Sequence, residues 1–263
     1  MNIIVCIKQV PDSEAQVKIA SDGKALDLDQ VKFVLNPYDE FAVEEAIRIK
    51  EKKGDGTVTV VSLGPPRVKD ALRSALAMGA DQAVLLWDPA FEGLDSHGTA
   101  VLLSRYLAGQ TYDLILLGKQ AIDDDMSYIG PALADLLKLP LVSVVTKLEF
   151  SPDYKTAFAQ REGERGVEKI EVSLPAVLTA QKGLNEPRYA SLMGIMKAKK
   201  KEIQEVNAAA LGMEGSGTSD LVKSRVTKLD YPPKRPPGKI VPGDAATAAK
   251  ELVRLLREEA KII

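Results

Sequence analysis

The sequence holds one cysteine, Cys6, one histidine, His97, and one tryptophan among its 263 residues. A single cysteine excludes an intrachain disulfide framework and fits a reducing compartment. With one histidine and one cysteine, the latter on a strand-like segment, nucleophile-histidine pairs and zinc-ligand sets have almost nothing to draw on. His97, in Asp95-Ser96-His97-Gly98, reads as a loop residue. No side chain here carries electrons by itself, so a redox role has to come from a cofactor. Charge of one sign is lacking too: 35 Lys and Arg against 37 Asp and Glu leave a net charge of -2, which argues against wholesale binding of nucleic acid. No stretch approaches the roughly 18 apolar residues of a membrane span. The start, MNIIVCIKQV, is too short and too strand-like for a signal peptide. A soluble cytoplasmic protein without membrane insertion is expected. Neither a G-x-G-x-x-G fingerprint nor a Walker P-loop occurs, so those phosphate-binding schemes are not predicted.

What is present is ordinary globular material, 45% apolar and 5% aromatic, enough for one substantial core and an appendage. Short runs rich in Val, Ile and Leu at 2–7, 57–63, 82–87 and 114–117 read as parallel strands buried on both faces. Helical periods lie between them. Asn36 can cap, Pro37 suits a first helical position, and Asp39 with Glu40 favours the positive end of the helix dipole. A second helix, 68–78, keeps Val68, Leu72, Ala75 and Leu76 on one side and stops at Gly79. Alternating strand and helix predicts an α/β doubly wound, mostly parallel sheet. Later strands near 142–150, 156–160, 169–172 and 176–179 lack long intervening helices and are expected to add antiparallel pairs at one edge. After residue 203 the chain turns Gly- and Ser-rich (211–219) and then proline-rich (YPPKRPPG, 231–238), as an extended arm would be. The arm is expected to end in a helix, 244–260, with Leu252, Val253, Leu255 and Leu256 as its apolar side. The expected division is 1–203 as an α/β nucleotide-binding domain and 204–263 as the arm.

Ligands of open α/β sheets bind at the carboxyl ends of the strands. Three turns meet there: Cys6 to Lys8, Ser62-Leu63-Gly64-Pro65-Pro66, and Gly118-Lys119-Gln120. Gly64 and Gly118 allow close backbone approach, and helix starts offer amides to phosphate. Asp123-Asp124-Asp125 suggests a metal at first sight. Consecutive side chains diverge, however, and no other carboxylate or histidine cluster is adjacent, so no metal site is predicted.

Residues 184–203, LNEPRYASLMGIMKAKKKEI, join a proline-turned apolar loop to a basic run. Leu192, Met193, Ile195 and Met196 are apolar, and Gly194 with Pro187 should spoil a long helix, leaving Leu and Met to project as a docking surface. The lysines at 197 and 199–201 would draw in an acidic partner surface. RNA binding by this run is the least favoured reading, given the near-neutral charge.

Four segments resemble the electron transfer flavoprotein beta subunit family: Leu184 to Tyr189 with Ile195 to Lys201; Asn36-Pro37-Tyr38-Asp39-Glu40; Ala75 to Asp81; and Gly118 to Asp125. The resemblance spans the first strand to about residue 203. It implies an adenine nucleotide alpha hydrolase-like fold and a heterodimer in which an alpha subunit, embraced by the C-terminal arm, holds FAD. The complex would shuttle electrons from a flavin dehydrogenase of acyl-CoA type to an acceptor, with no catalytic residue on this chain. The resemblance places a structural AMP against Cys6, Asn36, Pro37, Tyr38, Asp39, Leu63, Gly118, Lys119, Gln120, Ala121, Ile122, Asp123, Asp124, Asp125, Ser127, Tyr128 and Ile129. It places the wall of the FAD site at Ser13 and Tyr38, with Ser13 replacing the commoner aromatic residue. Partner docking falls to Arg188, Tyr189, Leu192, Met193, Ile195, Met196 and Lys197, and a latch for the mobile flavin domain to Arg161 and Glu162. Met193-Gly194 replaces the usual proline and asparagine, which implies an atypical dehydrogenase. Some members bind a second FAD in place of AMP and bifurcate electrons. Lys8 to Asp12, Tyr38, Gly64-Pro65-Pro66, Ala90-Phe91 through Asp95 and Ile129-Gly130-Pro131 look like that type, whereas Asp123 to Asp125 and Leu184 to Arg188 look like the AMP type. The balance falls on AMP, with a second FAD as the alternative. A non-redox, stress-protein-like nucleotide sensor is the rival from another class.

Overall fold

The structure is a computed structural model that describes residues 1–213, 218–235 and 237–263. Part of the Gly- and Ser-rich stretch, Glu214 to Gly217, and Pro236 of the proline-rich arm lie outside the described residues.

In chain order the strands are β1 Asn2–Cys6, β2 Gln9–Pro11, β3 Lys18–Ile19, β4 Leu26–Asp27, β5 Phe33–Leu35, β6 Thr57–Leu63, β7 Gln82–Leu86, β8 Leu114–Gly118, β9 Leu141–Phe150, β10 Thr156–Gly163, β11 Gly166–Ser173, β12 Ala176–Ala180 and β13 Ile203–Val206. The helices are α1 Pro37–Lys53, α2 Lys69–Met78, α3 Ser96–Ala108, α4 Ile129–Leu137, α5 Leu192–Lys200 and α6 Ala245–Glu258.

A nine-stranded sheet has the order β11-β10-β9-β12-β8-β1-β6-β7-β13. From β9 to β13 every neighbouring pair is parallel, while β9, β10 and β11 pair antiparallel at one edge. β1 shows why its apolar run is continuous. Successive side chains alternate faces, so Ile3 and Val5 enter the core covered by α1 and α2, and Ile4 and Cys6 enter the core covered by α3 and α4. α1 starts with Pro37 at its first positions, carries Asp39 and Glu40 in its first turn, and ends at Gly54 with φ 82°.

The doubly wound expectation holds, with local corrections. Residues 176–179 were expected among antiparallel edge pairs, yet β12 lies between β8 and β9, parallel to both. All five of its residues are buried, and a run with no polar face belongs in the middle of a covered sheet. The basic run is followed by β13, which pairs with β7 at the other edge. His97 sits in the first turn of α3 rather than in a loop, because Asp95 caps that helix through the Gly98 amide at 2.9 Å.

The chain divides into two compact units, Met1–Thr227 and Lys228–Ile263. The first therefore continues past 203: Leu211, Met213 and Leu221 join Phe91, Leu94 and Leu102 in a small third core. The second contains α6, capped by Asp244, whose carboxylate accepts from the Thr247 amide at 2.8 Å. Among the described residues no helix is long and apolar enough to cross a membrane.

Candidate functional site

The chain leaves β1 for β6 on one side and returns to β8 on the other, so the strand order reverses between β1 and β8. Their carboxyl ends open the crevice that such a reversal creates. Asp39, in the first turn of α1 and 5% exposed, lies beneath it. Its Oδ2 accepts the Lys8 amide at 2.7 Å and its Oδ1 the Gly118 amide at 2.8 Å, joining the ends of the two strands. A Cβ on Gly118 would collide with the Asp39 carboxylate and the Tyr38 backbone, so the approach requires glycine. Burial pushes the Asp39 carboxyl up to about 7, against the Lys8 and Gly118 amides and the Asn36 side chain, which pull it down. Burial, then Asp39, pushes the Cys6 thiol up to about 12, so it stays protonated and inert.

Asn36 was expected to cap α1. Its side chain makes no cap bond; Nδ2 donates to the Gln120 carbonyl at 2.9 Å and Oδ1 accepts the Ile122 amide at 3.2 Å. It clamps the loop after β8 instead. Lys8 extends across the crevice to Asp123 Oδ1 at 2.7 Å and Asp124 Oδ2 at 2.9 Å. Burial works against this ammonium, and the two carboxylates outweigh it, holding the Lys8 pKa above its usual value. Gln120 Nε2 donates to Asp125, and the Ser127 hydroxyl donates to Gln120 Oε1 at 3.4 Å. Asp125 and Ser127 have positive φ, 50° and 51°, so the loop is a folded arch rather than a helix start. The Lys119 ammonium lies 5.0 Å from the Tyr38 ring centroid. Tyr128 meets His97 Nδ1 at 3.1 Å, and Leu63 and Ile129 pack against the core shared by α3 and α4.

The structure thus brings Cys6, Asn36, Asp39 and the loop from Gly118 to Asp125 together. The amides of Lys8 and Gly118 are consumed by Asp39 and cannot serve a phosphate. Lys8, absent from the predicted site residues, is its most engaged cation; the available signal was its place just past the switch strand. Ser13 is exposed in the turn after β2. Among the described residues no group of three or more His, Cys, Asp or Glu could hold a metal.

The second candidate surface is α5 with the loop before it. Ser191 caps α5 through the Gly194 amide at 3.0 Å. Leu192, Met193 and Met196 are 76%, 66% and 58% exposed, Tyr189 is 99% exposed, and Ile195 and Lys197 are exposed. Gly194, expected with Pro187 to spoil a long helix, lies within the nine-residue α5, where a Cβ would collide with the Ala77 carbonyl of α2. Arg188, predicted as a docking contact, points into the domain onto Glu44 and Glu51 of α1. A groove of about 800 Å³ runs between α1, α2 and this loop, with Phe41, Met78 and Ile195 in its walls. At the far edge, Arg161 is bound to Glu168 at 2.6 Å and to the Ser143 hydroxyl at 3.2 Å, while Glu162, its neighbour on β10, is exposed.

The sequence model described as "Electron transfer flavoprotein domain" matches residues 25–211. A protein of Bacillus subtilis (strain 168) named "Electron transfer flavoprotein subunit beta" is 44% identical over 264 residues, covering 100% of both chains. Proteins of the same name from Thermoanaerobacterium thermosaccharolyticum, at 44% over 97% of this chain and 98% of that one, and from Sus scrofa, at 38% over 100% and 99%, are similar throughout.

Proposed function

Because the chain belongs to the electron transfer flavoprotein family as a beta subunit, we propose that it works in a heterodimer whose alpha subunit holds FAD, and that its own task is recognition. The observation that carries this is the pairing of an inert interior with an exposed apolar helix. Cys6 is buried and protonated, Asp39 is tied into backbone, and Leu192, Met193 and Met196 stand in solvent where a monomer would bury them. Bound flavin supplies the redox chemistry. Leu192 inserts into an apolar pocket of a dehydrogenase of acyl-CoA type, and Lys197, Lys199 and Lys200 steer the encounter with an acidic surface.

The crevice between β1 and β8 holds AMP as a structural nucleotide. Asp39 closes its floor and Asn36 clamps the loop above it, Lys8 and Lys119 are the cations available to a phosphate, and an anion there would draw Lys8 away from Asp123 and Asp124. Tyr38, half-buried at the start of α1, forms part of the FAD wall with Ser13. The arm after Thr227, with α6, embraces the alpha subunit. Glu162, exposed on the β10 and β11 hairpin, is the carboxylate of the proposed latch beside Arg161.

Co-expression with the alpha subunit tests the reading. A flavin-bearing second chain should co-purify with this one in equal amount; a chain that purifies alone, binds nucleotide and couples to no dehydrogenase would return the non-redox sensor as the better account.

A further inference from the structure

The loop before α5 is fastened to α1 by ionic bonds. Arg188 Nε lies 2.8 Å from Glu44 Oε2, Nη1 lies 2.7 Å from Glu51 Oε1, and Nη2 donates to both carboxylates, at 3.1 and 2.9 Å. The Arg188 amide also donates to Glu44 Oε2 at 3.1 Å. Three residues earlier, Asn185 Nδ2 donates to the Phe41 carbonyl at 3.0 Å and to Glu45 Oε2 at 2.8 Å. The other end of α5 is fastened to α2. Arg73 Nη1 donates to the carbonyls of Ala198 and Lys201, and Lys201 Nζ donates to the Ala80 carbonyl at 2.6 Å. Between these anchors Ala198 is the one buried residue of α5. A helix of nine residues has too little propensity to hold its own orientation, so the anchors set it.

We propose that Arg188 is a positioning residue for docking: it fixes the angle at which α5 presents Leu192, acting through Glu44 and Glu51 and not by touching the partner. The inference rests on the docking reading above. A guanidinium spans two carboxylates with a rigid fork; an ammonium is a point charge on a flexible stem and cannot. Glu44 is only 5% exposed at its side chain, so a cation that can no longer bridge it to Glu51 leaves the buried carboxylate less well satisfied and the loop loosens from α1.

The test uses the intact flavin-loaded heterodimer and a flavin dehydrogenase of acyl-CoA type reduced by its acyl-CoA substrate, with Arg188→Lys compared to Leu192→Ala. Arg188→Lys should raise the KM for the heterodimer about tenfold, the scale of one lost charge-assisted fork, while kcat at saturation stays within about twofold. Flavin content should not change. Trypsin should cut after Lys197, Lys199 and Lys200 faster in Arg188→Lys and at the wild-type rate in Leu192→Ala. Glu51→Gln, which leaves the Glu44 half of the fork, should act in the same direction with a smaller effect. A raised KM without faster cutting would make Arg188 a direct contact and overturn the proposal. An unchanged KM in Arg188→Lys, with a raised one in Leu192→Ala, would overturn it while leaving docking intact. If neither variant moves KM, the docking reading itself fails and takes the proposal with it.

Discussion

Asp39 accepts the Gly118 amide at 2.8 Å across 79 positions of sequence, and with the Lys8 amide on its other oxygen it closes the floor of the crevice between β1 and β8. A buried carboxylate that holds two strand ends by their backbone determines the shape of everything above it.

Gly118→Ala places a methyl group against the Asp39 carboxylate and the Tyr38 backbone. Overpacking of this kind costs roughly 1–3 kcal/mol. Thermal denaturation should show that loss, and the purified heterodimer should retain less nucleotide. Wild-type stability in Gly118→Ala would mean that the close approach is not required.

The titration of Asp39 gives a pH signature. Burial first, against the hydrogen bonds it accepts, raises its folded-state pKa from 3.8 to about 7. A raised pKa stabilises the fold where the group is protonated: the contribution is complete below about pH 4 and is lost as pH rises through about 7. Asp39→Asn cannot titrate. The stability difference between wild type and Asp39→Asn, measured by urea denaturation from pH 4 to pH 8, should therefore shift against the wild type by an amount on the order of 2–4 kcal/mol. A difference that stays flat across this window would show that Asp39 ionises normally.

Lys8→Met separates stability from binding. Its ion pairs to Asp123 and Asp124 are partly exposed, at 43% for the Lys8 side chain, so their loss should cost no more than about 1 kcal/mol. Nucleotide affinity should fall further, by roughly tenfold or more, because two carboxylates would then face the phosphate without their cation. Equilibrium dialysis with AMP reads this, and unchanged affinity would remove Lys8 from the site.

Leu192→Ala should weaken dehydrogenase coupling by about 2 kcal/mol, seen as a higher KM, with unchanged flavin content and melting temperature, since the side chain is 76% exposed and supports no core. Lost flavin with intact coupling would refute its role as the docking anchor.

The parallel framework was legible in the sequence where physics acts locally. The apolar runs of β1, β6, β7 and β8 need two covered faces, and Gly79 ends α2 by backbone conformation. What failed to show was what depends on distant partners. β12 is apolar enough to be central, but nothing in AVLTA says which strands flank it. Asn36 has the chemistry of a cap and is claimed instead by Gln120 and Ile122. Gly194 lets α5 approach the Ala77 carbonyl of α2, a neighbour that the local sequence does not show. The resemblance places Arg188 among docking residues, and its ion pairs to Glu44 and Glu51, 144 and 137 positions away, could not be read from the local sequence. Asp95 was a legible cap for α3 in hindsight, as an aspartate three residues before the glycine whose amide it accepts.

Release of the bound nucleotides from the purified heterodimer, with separation and quantification of each, tests the central claim most directly. The account predicts one FAD and one AMP per heterodimer; two FADs with no AMP would contradict the assignment of the crevice, and finding neither would contradict the proposed function as a whole.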